Sequence, residues 1–223
     1  MRVMTLQTGG SRGPYRAGVE RRRAIIDQAA GIFAESGFYG GTMRDVAARV
    51  GVTPAALSRY FAGKEDLFLA VMEHHLGEWR AYIDRTAGPD RRGLAYFRGV
   101  PRVLEYFTIN PGIGQLQASI MAEGVMPDHP AHAYVIEGHD ATQASFERHL
   151  LEAVESGEVP RFSAAEVRLE AAQLSLMLRG GISRVALEVS LPPGVIVPST
   201  VEIFTAYIDA TIARWKAAAA LVG

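Results

Sequence analysis

Apolar residues recur along most of this chain at intervals of three and four, the spacing that gathers them on one face of an α-helix. Between Val19 and Ser36 they fall at Ile25, Ile26, Ala29, Ile32 and Phe33, and Gly37 supplies the residue that commonly closes a helix. After Phe38-Tyr39-Gly40-Gly41, Thr42 opens a second, short helix with Asp45 three residues on, an acidic variant of the capping box. Met43, Val46, Ala47 and Val50 form its apolar side, and Gly51 breaks it. Thr53 caps a third helix that runs through Phe61, with Pro54 at the first helical position, where a missing N–H costs nothing. Ala62-Gly63 turns the chain into a long helix from Lys64 to Arg85. Beyond the break at Ala87-Gly88-Pro89 the period predicts five further helices, at 90–108, 112–126, 130–157, 163–189 and 199–221, each bounded by Pro or Gly. Only the short stretches Val189–Leu191 and Val195–Val197 interrupt this pattern, so the expected fold is all-α, without a sheet.

Charge changes the picture. The net value of −1 conceals a division: residues 1–64 carry ten Lys/Arg against four Asp/Glu, a balance of +6, and the remainder carries −7. Phosphate neutralisation is local, so a polyanionic partner is expected at the N-terminal end. Arg2, Arg12 and Arg16 among Gly9, Gly10 and Gly13 read as a flexible basic arm over residues 1–17. No apolar run approaches the ~20 residues of a membrane span, and the first residues lack the apolar region of a secretory signal. A cytoplasmic protein with no membrane partner is expected. The absence of cysteine excludes disulfides and thiolate metal sites.

The informative stretch is Thr42–Lys64, TMRDVAARVGVTPAALSRYFAGK. Two short helices flank Gly51-Val52-Thr53, a turn tight enough to set the second across the first at a large angle. Such a helix enters a major groove ~12 Å wide while its predecessor lies over the backbone. Its outward side chains, Thr53, Ala55 and Ser58, are small enough for close approach to base edges, and Arg59 adds a long donor of the kind that most often reads guanine. The bland alternative is a helix pair in a bundle with Arg59 solvated; the basic head and arm favour DNA.

The segments FAESGFYG, TMRDVAARVGV and LSRYFAGKEDLF resemble the DNA-binding head of the TetR family over about residues 20–75. The resemblance implies a three-helix helix-turn-helix domain at 18–63 and a C-terminal helical bundle at 64–223 for effector binding and dimerisation, joined by a linking helix at 64–86. It implies that Thr42 is a phosphate-contacting cap, that Arg44 reaches a base edge or phosphate, and that Thr53, Pro54, Ala55, Ser58 and Arg59 form the reading surface. Tyr60 and Lys64 match phosphate anchors. Ser58 stands where the family often has an aromatic, so thymine-methyl packing is not carried over. One such helix reads few base pairs, so a homodimer on a near-palindromic double-stranded operator is expected. Its surface is assigned to the last two helices, whose apolar positions include Leu169, Leu176, Leu187, Ile203, Tyr207 and Ile212. The resemblance further implies a small-molecule effector, here a mainly apolar one. Candidate ligand residues are Phe97, Phe107, Met121, Tyr134, Gln173 and Met177. Release of DNA by that effector would make the protein a repressor, with the linking helix as lever and Asn110–Gln115 as a moving contact.

Three other readings compete. Asp128, His129, His132, Glu137 and His139 form a cluster of metal-binding residue types, but the i, i+4 histidine pair of helix-borne zinc enzymes is absent. A DNA binder without an effector is a second alternative, and a helical protein-interaction domain, which leaves the basic head unexplained, a third. The chain also lacks a Walker A loop, a GxGxxG fingerprint and a GxSxG elbow, so no enzyme activity, catalytic residue, metal or cofactor is expected.

Overall fold

The computed structural model describes residues 14–86, 91–192 and 194–220, and among them every regular element is a helix. In chain order these are α1 (Pro14–Gly40), α2 (Met43–Val50), α3 (Pro54–Leu57), α4 (Lys64–Thr86), α5 (Gly93–Gly99), α6 (Pro101–Ile109), α7 (Pro111–Glu123), α8 (His132–Glu155), α9 (Ala164–Glu188) and α10 (Thr200–Ala220).

Three expectations need correction. The helix that begins the head starts at Pro14, inside the stretch read as an arm; residues 1–13 lie outside the described residues, as does the break at Ala87-Gly88-Pro89. The single helix expected at 90–108 is two, α5 and α6. Pro101 has no N–H to continue the ladder, and the Val100 N–H bonds the Phe97 carbonyl three residues back, at 3.1 Å. The third helix ends at Leu57 rather than Phe61, because Arg59 and Tyr60 donate to Ala56 and Leu57, again three residues back, and tighten the chain into a turn.

Two apolar cores organise the packing. The first joins α1, α2 and α3 to the N-terminal half of α4 and extends into α7 and α8 through Leu116, Ile120, Ala131 and Val135. Phe33 and Phe68 meet edge to face at its centre, 4.9 Å between ring centroids. The second fills the space between α5, α6, α8, α9 and α10 around Phe97, Phe146, Phe204 and Trp215. Arg214 of α10 donates both guanidinium nitrogens to the Glu170 carboxylate of α9, at 2.6 Å each. That fork holds the Glu170 carboxyl below the ordinary carboxylate value.

Gly37 is the joint between head and body. Its φ of 66° breaks α1 from within and favours glycine, and a side chain there would meet the Glu123 carboxylate of α7. Glu123 uses that space to accept the Phe38 N–H at 2.9 Å, the Ser119 hydroxyl at 3.2 Å and the His129 ring at 3.2 Å. The His129 ring also packs edge-on against Phe38, Tyr39 and Phe68.

Candidate nucleic-acid interface

The turn between α2 and α3 is fixed at both ends by local chemistry. Thr42 and Asp45 cap α2 reciprocally: the Thr42 hydroxyl accepts the Asp45 N–H at 3.2 Å, and the Asp45 carboxylate accepts the Thr42 N–H at 3.1 Å. Gly51 closes α2 with φ 72° and ψ 39°. The Thr53 hydroxyl then accepts the Ala56 N–H at 3.2 Å, and Pro54 takes the first helical position. Leu57 and Phe61 are fully buried anchors beneath. The exposed side of this rigid elbow carries Thr53, Pro54, Ala55, Ser58, Arg59 and Tyr60, with Thr42 and Arg44 exposed on the neighbouring helix.

The structure therefore gathers the residues singled out from the sequence onto the outside of one elbow. Ser58 departs in detail: its hydroxyl donates to the Pro54 carbonyl at 3.1 Å, which uses its proton within α3. Lys64 is half-buried; its ammonium lies 4.4 Å above the Phe38 ring and donates to the Tyr39 carbonyl at 3.4 Å, so it is held in place by the end of α1.

Three other cations of the head are committed. Arg49 forks onto Glu35 at 3.0 and 2.8 Å, Arg23 pairs with Glu78 at 2.6 Å, and Arg22 lies over Phe61. Arg44 and Arg59 have no ion pair among the described residues.

The body contains a cleft of about 600 Å³ between α4, α5, α6 and α8. Leu76, Trp79 and Ile83 of α4, Val103 of α6, Phe146 of α8 and Leu178 of α9 give it an apolar wall, and Arg80, Arg91, Tyr96 and Tyr134 bring polar groups. Arg91 is paired with Asp84 at 2.6 Å. Tyr134 donates to Gln117 at 3.4 Å, and burial pushes its phenol pKa up. Two donors nearby lack partners: the buried Trp79 Nε1 and the buried Arg179 Nε. Burial lowers the Arg179 pKa against the pull of Asp140 and Tyr134.

Of the six ligand candidates, Tyr134 lines this cleft. Phe107 lines a much smaller gap beside it, together with Trp79 and Tyr134. Phe97 is core, stacked edge-on against Trp215, and Met121 packs on the same core. Gln173 and Met177 lie on the exposed side of α9, away from the core-facing Leu174 and Leu178. Sequence reasoning missed Trp79, Tyr96 and Arg80; the α4 period places Leu76, Trp79, Arg80 and Ile83 on one stripe and is the signal that finds them.

Exposed apolar residues remain on the last two helices: Leu169, Leu176 and Leu187 on α9 and Ile203 on α10. Tyr207 is half-buried, and Ile212, expected on that surface, is core.

The cluster at 128–139 does not converge. His129 Nδ1 accepts the Ala131 N–H, which leaves the proton on Nε2 to donate to Glu123, and His132 Nδ1 faces the Gly124 carbonyl. Asp128 is exposed ahead of α8, and Glu137 and His139 are exposed on it.

Comparison with known proteins bears on this arrangement. Residues 25–71 match the family model described as bacterial regulatory proteins, tetR family. Over 76 residues the chain is 40% identical to an HTH-type transcriptional regulator BetI of Brucella anthropi, covering 32% of this chain and 39% of that protein. The match thus spans about two fifths of that relative's length. Among solved structures, a TetR-family regulator from a Rhodococcus species superposes with a TM-score of 0.70 at 18% identity, covering 88% of this chain and 99% of the other. Bacillus subtilis FadR in complex with stearoyl-CoA superposes at 0.62 and 19% identity, over 85% and 97% of the two chains. At these identities the two structures speak to the fold.

Proposed function

We propose that this chain, whose residues 25–71 match the model for bacterial regulatory proteins of the tetR family, is a tetR-type repressor that binds a near-palindromic operator as a homodimer and lets go when a small, mainly apolar effector enters the body. The observation that carries the reading is the elbow at α2–α3. Its helix ends are capped by Thr42, Asp45, Gly51 and Thr53, and its outer side presents small side chains beside Arg44 and Arg59, which have no ion pair among the described residues. A rigid helix end with a free guanidinium suits base-edge contact, and Tyr60 and Lys64 at its rim suit phosphate contact.

The dimer is supported by the exposed apolar residues of α9 and α10, which a second copy would cover. The effector site is assigned to the cleft, with Trp79 and Tyr134 as its working polar groups and Leu76, Val103 and Phe146 as its apolar wall. Unsatisfied donors against an apolar wall fit a ligand with a hydrocarbon body and an acceptor group. The structural neighbour FadR holds stearoyl-CoA, a molecule with both features. The effector acts only through its differential affinity for two arrangements of the heads. Glu123 and His129, which tie α7 and its following loop to Phe38, are the contacts through which the body can move the head. This assignment replaces Asn110–Gln115 as the moving contact.

Footprinting on the DNA flanking the chain's own gene, with and without medium-chain and long-chain acyl ligands, tests this reading. A single protected palindrome that is lost with ligand supports it. Arg59→Ala should relax preference at one base pair at a cost of ~1–3 kcal/mol, and Lys64→Ala should weaken all sequences alike and lower the salt slope by ~1. Uniform coating of DNA, insensitive to both substitutions, overturns it.

A further inference from the structure

Where the head meets the linking helix, α4 turns His74, His75 and Glu78 toward one another, and their ligating atoms all lie within 4.8 Å. Asp27 of α1 joins them from the head: its Oδ1 is 3.4 Å from His74 Nε2, and the Glu78 Oε1 is also 3.4 Å from that nitrogen. His75 Nδ1 is 3.8 Å from the other Glu78 oxygen. None of these contacts forms a hydrogen bond, and His74 Nε2 and both His75 ring nitrogens are buried without a hydrogen-bond partner among the described residues. A tetrahedral zinc ion bound at ~2.0–2.2 Å sets its donor atoms about 3.3–3.6 Å apart, which is the separation around His74 Nε2.

We propose that His74, His75 and Glu78 bind one divalent transition-metal ion of the zinc type, which draws in Asp27 from beside His74 as the fourth donor. Imidazole and carboxylate are the donor set such ions accept. Buried ring nitrogens with no other partner are in want of one. Arg23 competes for Glu78, which its guanidinium touches at 2.6 Å. Its side chain is 62% exposed, so it can withdraw into solvent as the ion arrives. The site spans two elements: Asp27 rides on α1 and the other three donors on α4. A bound ion therefore pins the base of the head to the linking helix. The site is independent of the DNA reading and of the cleft.

The test uses the full, untagged chain. Equilibrium dialysis against zinc with elemental analysis should give one ion per protomer, and cobalt(II) in its place should show the visible bands of a four-coordinate site. Saturating zinc should raise Tm by about 3 °C or more, because the ion binds only the folded arrangement. His74→Ala and Glu78→Gln should each weaken binding at least tenfold, Asp27→Asn should weaken it severalfold, and His139→Ala should leave it unchanged. Arg23→Gln should tighten binding by removing the competing cation. The variants' folding is checked by far-UV circular dichroism. Absence of saturable binding in the parent chain overturns the proposal. Binding that survives both His74→Ala and Glu78→Gln overturns it equally.

Discussion

The head and the body leave their polar groups in opposite states. In the head the helix starts around the elbow are each closed by a side chain: Thr42 with Asp45, Thr53 with Ala56, Ala62 with Asp66. In the body, Trp79 Nε1 and Arg179 Nε are buried without partners near a cleft of about 600 Å³. A satisfied elbow is stiff and meets its partner in the conformation it already holds, which lowers the entropic cost of recognition. An unsatisfied cleft carries a penalty that a ligand can remove. Under the proposed function, the contrast assigns recognition of a fixed surface to one end of the molecule and response to the other. Glu123 and Gly37 sit where the two meet.

The strongest way to break that division is at the joint. Gly37→Val forces a β-branched residue to a φ of 66° and drives its side chain into the Glu123 carboxylate. Strain and overpacking together should cost about 3 kcal/mol, read as a lower urea midpoint. The loss should fall on the first core, where α1 packs against α7 as well as α4. A variant as stable as the parent shows that Glu123 withdraws freely and that the joint is soft.

How much of this was legible in the sequence follows the same division. The head's structure is local: Thr42 and Asp45, Gly51, Thr53 and Pro54 act within four residues of themselves, so spacing alone identifies the elbow and its exposed side chains. The body depends on which of two apolar stripes a helix turns inward. On α9, Leu174 and Leu178 face the core while Leu176 and Met177 face out, and each pair is equally apolar. Periodicity cannot rank them, which is why Gln173 and Met177 were read as cleft residues. Ile212 was misread for the same reason on α10. Asp128–His139 is the metal-type cluster that spacing suggests, because its residues are close in sequence; the set that converges is His74, His75 and Glu78, with Asp27 beside His74 in a meeting that only packing creates. Pro101 was visible, but its effect depended on whether the chain kinked or broke there.

Within the body, the Glu170–Arg214 fork is the exception that sharpens the contrast, because it is fully paired. Arg214→Ala should destabilise by about 2 kcal/mol, leaving a buried carboxylate without its donor. The pH dependence has a definite sign. Glu170 titrates below its ordinary value in the folded protein, so its contribution is present above that value and is lost as pH falls through the folded one. Thermal melts between neutral pH and pH 3 should show the parent chain losing its margin over Arg214→Ala as the carboxylate protonates. A margin constant across that range rules out the ion pair as its source.

The smallest effects make the clearest comparison, because the two regions should respond with opposite signs. Thr53→Ala removes the oxygen that accepts the Ala56 N–H and should cost about 1 kcal/mol of stability, as loss of such a cap does. Arg179→Met keeps the length and apolar stem of a side chain whose buried Nε has no partner and whose charge is opposed by burial. It should therefore stabilise the chain by about 1 kcal/mol. Denaturant melts of both variants beside the parent decide the matter. If Arg179→Met also loses stability, then Arg179 is held by an interaction of its own, and the body is no more open to a ligand than the head.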